Sequence, residues 1–105
     1  MTRLGILLSG RGSNFLAIAD AIDLGTLKDA EIAVVISNRA DAPGIAAART
    51  RGIKTQVIEA HGRSRAVQDI EIVAGLRQHG VDLVCLAGYM RLLSPEFVAA
   101  FPQAI

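Results

Sequence analysis

Small residues directly follow an apolar run near the start of the chain. The run covers residues 4–8, and the loop after it reads Ser-Gly-Arg-Gly-Ser-Asn over residues 9–14. Gly10 and Gly12 can adopt positive φ and let a ligand approach the main chain. Ser13 or Asn14 is expected to cap the next helix, whose free N–H groups and dipole favour an anion. This glycine-rich loop (residues 9–14) is therefore predicted to bind phosphate.

The surrounding sequence narrows the kind of phosphate. No Gly-Lys-Ser/Thr follows the loop, so it is not a Walker loop. The third glycine of a dinucleotide fingerprint would fall at Phe15, and the next strand ends in Ser37 and Asn38 without an acid to hold a ribose. A monophosphate fits the loop better than a pyrophosphate.

A second candidate segment covers residues 87–95, Ala-Gly-Tyr-Met-Arg-Leu-Leu-Ser-Pro. It follows an apolar strand and combines a glycine, an aromatic ring, a methionine and a charge. Met90, Leu92 and Leu93 could cover the core or line a ligand pocket, because core and pocket wall have the same composition. An extended segment here could also offer backbone N–H and C=O groups to a flat heterocycle.

Other reactive residue types suggest binding more than catalysis. Arg65 begins a long predicted helix, where its charge opposes the dipole; an anionic ligand would explain it, and a solvated arginine is the alternative. His61 and His79 are interpreted as structural, and Cys85 as a small core residue. The residue types and spacings indicate no acid–base pair, no nucleophilic triad and no metal-ligand cluster, so no catalytic or metal residue is predicted.

These residues depend on alternating strands and helices for their placement. The hydrophobic pattern predicts strands over residues 4–8, 31–36, 54–58 and 83–87. It predicts helices over residues 15–22, 44–51 and 65–79, and a last helix that begins at Ser94-Pro95 and ends before Pro102. The helical period of the longest helix is given by Val67, Ile70, Val73 or Ala74, and Leu76 or Arg77.

The order of these elements predicts an α/β fold with a doubly wound parallel sheet. In such a sheet the fourth strand lies beside the first. The loops after Leu8 and Ala87 would then flank one crevice, at the point where the strand order reverses. Both candidate segments are therefore expected at one ligand site.

Composition excludes several classes of protein. The chain has 105 residues, 51% of them hydrophobic, and a formal charge of +1. This balance argues against a general nucleic-acid or membrane-surface binder. Cys85 is the only cysteine, so an internal disulfide is excluded. Neither a signal peptide nor an apolar run of about 20 residues is visible, so a cytoplasmic location is expected.

Read together, four segments resemble the folate-dependent glycinamide ribonucleotide transformylases, also called phosphoribosylglycinamide formyltransferases. They are residues 7–14, residues 35–42, Ser64-Arg65 with Asp69, and residues 86–95. The segments extend along nearly the whole chain in the order and spacing of that family. Each is weak alone, and the set is specific.

The resemblance implies a Rossmann-like formyltransferase fold and a set of binding residues. Gly12, Ser13 and Asn14 would hold the phosphate of glycinamide ribonucleotide. Arg65 would lie near the folate site. The pocket for the pterin of the co-substrate 10-formyltetrahydrofolate would be lined by Met90, Arg91, Leu92 and Leu93. The implied partners are these two small molecules, with no nucleic acid, membrane or metal.

The resemblance also implies missing chemistry. The family's catalytic Asn and His belong to an Asn-x-His-Pro-Ser segment on a strand expected to start near Ala104 and Ile105, and its catalytic Asp comes later. Residues 1–105 are therefore expected to be the N-terminal, substrate-binding part of a single formyltransferase domain, truncated or incomplete, and inactive alone. The sequence does not determine whether the complete enzyme forms a homodimer.

Other functions remain open on the sequence. Within the same superfamily, methionyl-tRNA formyltransferase and formyltetrahydrofolate deformylase are the near alternatives. An NADP-dependent oxidoreductase could use Gly10 and Gly12 with an arginine such as Arg39. A non-catalytic binding module for a phosphorylated metabolite is the third possibility.

Overall fold

A computed structural model describes residues 1–59, 62, 64–89 and 93–101, apart from the side chain of Glu96. Strands and helices alternate along the described chain, as the sequence predicts. The elements are β1 (Thr2–Leu8), α1 (Ser13–Asp23), β2 (Ala30–Ser37), α2 (Pro43–Thr50), β3 (Thr55–Val57), α3 (Arg65–Gln78), β4 (Leu83–Leu86) and α4 (Pro95–Ala100).

The strands form a parallel sheet in the order β3-β2-β1-β4. β1 lies between β2 and β4, and Leu4 pairs with Leu83 while Leu7 pairs with Leu86. The chain therefore winds outward from β1 in both directions, which confirms the predicted doubly wound sheet. Among the described residues, no helix has the length and apolar character needed to cross a membrane.

Alternate residues of the strands face two separate cores. Ile6 and Leu8 face a cluster that includes Phe15 of α1 and Ile45 of α2. Leu7 faces the other cluster, which includes Ile72 and Leu76 of α3 and Phe97 of α4. Both faces of the sheet are therefore covered by helices, which explains why β1 and β2 read as continuous apolar runs.

The apolar residues that give α3 its helical period are only partly buried. Leu76 is buried and Val73 is half-buried, but Val67 is 46% exposed and Ile70 is 59% exposed. The residues of α3 that are buried are Gln68, Asp69, Ile72, Gly75 and Leu76. Two buried polar residues thus shift the helix face away from the one that apolar periodicity indicates.

Candidate ligand-binding site

The glycine-rich loop connects β1 to α1 and ends in a left-handed residue. Gly12 has φ 65° and occupies the N-cap position of α1. The sequence-based expectation that Ser13 or Asn14 caps this helix is wrong, because α1 already begins at Ser13 and no side chain accepts a cap hydrogen bond. Gly10, which could also adopt positive φ, does not do so.

This uncapped start leaves backbone donors at the helix N-terminus. The first hydrogen bond that returns to the cap residue runs from the Leu16 N–H to the Gly12 carbonyl oxygen, at 3.0 Å. The N–H groups of Ser13 and Asn14 precede it and have no acceptor within the helix. Both residues are exposed. The N-terminus of α1 therefore presents donors and the positive end of its dipole to a ligand.

The donors open into a crevice between two loops. A cavity of about 390 Å³ is lined by residues from the glycine-rich loop and by the two residues after β4: Gly10, Arg11, Gly12, Ser13, Asn14, Ala87 and Gly88. The Ala87 N–H donates to the Leu7 carbonyl at 2.8 Å, and the Ser9 N–H donates to the Gly88 carbonyl at 3.3 Å. The loops after Leu8 and Ala87 thus flank one crevice, which confirms the prediction from strand order.

The end of β2 supports the same loop from the other side. The buried Ser9 hydroxyl donates to Oδ1 of Asn38 at 2.6 Å. The next residue, Arg39, makes two contacts of 3.2 Å with the carboxylate of Asp41. The Arg39 guanidinium therefore holds the pKa of Asp41 below its ordinary value of 3.8. Arg39, an arginine that an NADP site could use, therefore forms an ion pair with Asp41.

The second set of predicted site residues is only partly described. Arg65 is the first residue of α3 and is exposed. Leu93 is half-buried and packs against the α3–α4 core cluster. Met90, Arg91 and Leu92 lie outside the described residues. Neither Arg65 nor Leu93 lines the crevice beside Gly12.

Two of the residues interpreted as structural, His79 and Cys85, are described. His79 Nδ1 lies 2.8 Å from the Gly75 carbonyl at the end of α3. Cys85 is buried in the core, and desolvation raises the pKa of its thiol above the ordinary 9.0. His61 lies outside the described residues. Within the part of the chain that the structure describes, no group of His, Cys, Asp and Glu could hold a metal ion.

Two further contacts hold the candidate segments in place, and neither apolar periodicity nor motif spacing predicts them. Asp69 is 1% exposed, and its Oδ2 accepts the Ser94 N–H at 2.6 Å, which fixes the chain just before α4. Gly44 of α2 lies against the back of the glycine-rich loop, with its N–H 3.0 Å from the Gly10 carbonyl. Asp69 is one of the residues that carry the family resemblance, but apolar periodicity gives no sign that this acid is buried.

Comparison with known proteins gives consistent results. Residues 2–105 match the sequence family described as formyl transferase. The chain is 41% identical over 97 residues to a phosphoribosylglycinamide formyltransferase of Escherichia coli, covering 91% of this chain and 45% of that protein. It is 39% identical over 106 residues to the protein of the same name from Haemophilus influenzae, covering 100% and 50%.

Solved structures agree with these sequence matches. The crystal structure of glycinamide ribonucleotide transformylase 1 from Symbiobacterium toebii superimposes with a TM-score of 0.93 at 42% identity, over 99% of this chain and 50% of that one. The chain therefore spans about half the length of the bacterial proteins that it matches.

Proposed function

The chain belongs to the formyl transferase family, and we propose that it serves phosphoribosylglycinamide formyltransfer in purine biosynthesis. In that reaction the amine of glycinamide ribonucleotide accepts a formyl group from 10-formyltetrahydrofolate. The proposal is supported by the names of the bacterial relatives and by the structural match over 99% of the chain.

The proposed phosphate site consists of Gly12, Ser13 and Asn14. The observation that carries it is the uncapped N-terminus of α1, which faces a cavity of about 390 Å³. A phosphate there would accept hydrogen bonds from the free N–H groups of the first helical turn, and the positive end of the helix dipole would stabilise its charge. The left-handed Gly12 lets the main chain turn into the helix where a Cβ would lie 2.8 Å from Cδ2 of Leu8.

The proposed folate site consists of Arg65, Met90, Arg91, Leu92 and Leu93. For residues 90–93 it is supported by the order of the elements, because the chain leaves β4 at the same end of the sheet at which the glycine-rich loop leaves β1. 10-Formyltetrahydrofolate would enter as co-substrate and supply the formyl group. The segment would bind and orient its pterin through main-chain groups, and Arg65 would attract its anionic part.

We further propose that residues 1–105 form the substrate-binding part of one formyltransferase domain. The chain spans about half of its bacterial relatives, which is consistent with catalytic Asn, His and Asp residues in the other half. The 105-residue chain would then bind substrate without transferring the formyl group. The cytoplasm is the proposed location, in keeping with a free Cys85 thiol, and the complete enzyme could form a homodimer.

The phosphate assignment can be tested by titrating the ¹⁵N-labelled chain with glycinamide ribonucleotide. We expect the amide signals of Gly12, Ser13 and Asn14 to shift, since these groups would donate to the phosphate. The matched control ligand is the riboside without the phosphate, which should leave the three signals in place. Unmoved signals at millimolar ribonucleotide, or equal shifts with NADP, would contradict the assignment.

The proposal that the 105-residue chain binds substrate without transferring the formyl group is tested by assaying it for formylation of glycinamide ribonucleotide. We expect no turnover above the uncatalysed rate, because the catalytic Asn, His and Asp implied by the family resemblance would lie in the other half of the enzyme. Measurable turnover by the 105-residue chain would overturn this part of the proposal and leave the phosphate site standing.

A further inference from the structure

The N-terminus of α2 lies directly behind the glycine-rich loop. α2 begins with Pro43 and lacks a side-chain cap at Ala42. Its Gly44 N–H donates to the Gly10 carbonyl oxygen at 3.0 Å. A loop carbonyl therefore satisfies a donor that a cap residue would otherwise satisfy.

Gly44 has no room for a side chain at this contact. A Cβ on Gly44 would lie 3.0 Å from the carbonyl oxygens of both Gly10 and Arg11, and 2.7 Å from Cδ2 of Leu8. The φ of Gly44 is not positive, so its backbone conformation suits alanine, and alanine is the better helix former. The requirement for glycine thus comes from the close approach to the loop.

The two carbonyls that face Gly44 determine where the loop amides point. The described chain has no cis peptide bond, and in a planar trans peptide the N–H is opposite the C=O. Because the carbonyls of Gly10 and Arg11 lie next to α2, the N–H groups of Arg11 and Gly12 point away from it. Both residues line the crevice.

We propose that Gly44 is a positioning residue for phosphate binding: its contact with the Gly10 and Arg11 carbonyls turns the amides of Arg11 and Gly12 toward the ligand. This rests on the phosphate site proposed above. It adds the Arg11 main chain to the phosphate donors and assigns α2 a role in binding without contact with the ligand. One helix N-terminus meets the anion, and the second holds the loop that completes its donor set.

The first experiment needs no variant. During titration of the ¹⁵N-labelled chain with glycinamide ribonucleotide, the Arg11 amide signal should move with those of Gly12, Ser13 and Asn14. If Ser13 and Asn14 move while the Arg11 amide stays in place at saturation, the inference is wrong and the phosphate site is retained. If none of the four moves, the proposed phosphate site fails and the role of Gly44 fails with it.

The second experiment compares Gly44→Ala with Ala46→Gly. We expect Gly44→Ala to weaken ribonucleotide binding by about tenfold or more, because charge-assisted bonds to phosphate would be lost. Ala46 is exposed on the same helix, so Ala46→Gly lowers helix propensity without touching the loop and should stay within about twofold of the parent. Parent-like affinity in Gly44→Ala would overturn the proposal.

A third pair separates loop orientation from core packing. The double variant Leu8→Val/Gly44→Ala removes Cδ2 of Leu8, the side-chain atom nearest to the new Cβ, but keeps the close contacts with the Gly10 and Arg11 carbonyls. We therefore expect the double variant to bind the ribonucleotide more weakly than Leu8→Val alone. Recovery of the Leu8→Val affinity would show that the defect came from the Leu8 side chain, and it would overturn the proposal. This pair also provides the comparison if Gly44→Ala alone does not fold.

Discussion

At the scale of single residues, Gly12 combines two requirements in one position. Its φ of 65° lies in the left-handed region, and a Cβ would lie 2.8 Å from Cδ2 of Leu8. We expect Gly12→Ala to lower the free energy of unfolding by about 1–2 kcal/mol from backbone strain alone. Displacement of the loop should also weaken ribonucleotide binding. Urea denaturation and the NMR titration measure the two effects separately.

Gly25 offers a matched control for this substitution. Its φ is 77°, and a Cβ there would meet nothing within 4 Å. Gly25→Ala should therefore carry a similar strain without any change in binding. A comparable loss of affinity in Gly25→Ala would indicate that lowered stability, and not the geometry at Gly12, explains weaker binding.

The sequence predicts some properties of single residues at the site and not others. The loop could be identified as anion-binding because glycines, a helix start and a preceding strand occur together. The cap at Gly12 could not, since Ser13 and Asn14 have cap-forming side chains, and only the structure shows that Gly12 occupies the N-cap and that the helix begins at Ser13. Gly44 gave no signal, because its partners in the loop are more than thirty positions away in the chain.

At the scale of elements, α3 and α4 are joined through a buried acid. Asp69 Oδ2 accepts the Ser94 N–H at 2.6 Å, and Ser94 then caps α4 by accepting the Phe97 N–H at 3.2 Å. Asp69→Ala would leave a buried N–H without its acceptor, and we expect it to cost about 1–3 kcal/mol of stability. Asp69→Asn retains an oxygen acceptor and should cost less. Urea denaturation measures both.

Gln78, exposed at the end of α3, provides the control for this series. Gln78→Ala should change stability by no more than about 0.5 kcal/mol. If Asp69→Ala were equally mild, the hydrogen bond to Ser94 would not be holding the two helices together.

Element order and type were predictable because each strand is a short apolar run and the helices start or stop at polar or glycine signals. The orientation of α3 was not. Apolar periodicity places Val67 and Ile70 inside, but the partners of Gln68 and Asp69 decide the outcome: Gln68 donates to the Ile58 carbonyl at 2.8 Å, and Asp69 accepts from Ser94. Hydrogen bonds between distant elements leave no periodic trace in sequence.

At the scale of the whole molecule, β1 connects the two cores. Ile6 and Leu7 are both fully buried, one in each core cluster. We expect Ile6→Ala and Leu7→Ala each to lower the free energy of unfolding by about 2–5 kcal/mol. Because a domain of this size has about 5–15 kcal/mol in total, the double variant should be largely unfolded at 25 °C, as followed by far-UV circular dichroism.

Val67→Ala is the reference for this comparison, since its side chain is 46% exposed. It should cost less than either core substitution. A strong loss from only one of Ile6→Ala and Leu7→Ala would show that one face of the sheet contributes little to the cooperative unit.

The parallel order β3-β2-β1-β4 also affects when the site can form. β1 comes first in the chain, but one of its two neighbours in the sheet is β4, the last of the described strands. The Arg3 N–H donates to the carboxylate of Asp82, which precedes β4 and is 79 positions away in the chain. The crevice wall at Gly88 comes later still. Contacts of such long sequence separation form slowly, because loop closure must precede them. During synthesis, the β1–β2 pair can form first, whereas the binding crevice is completed only after the ribosome has released β4 and Gly88.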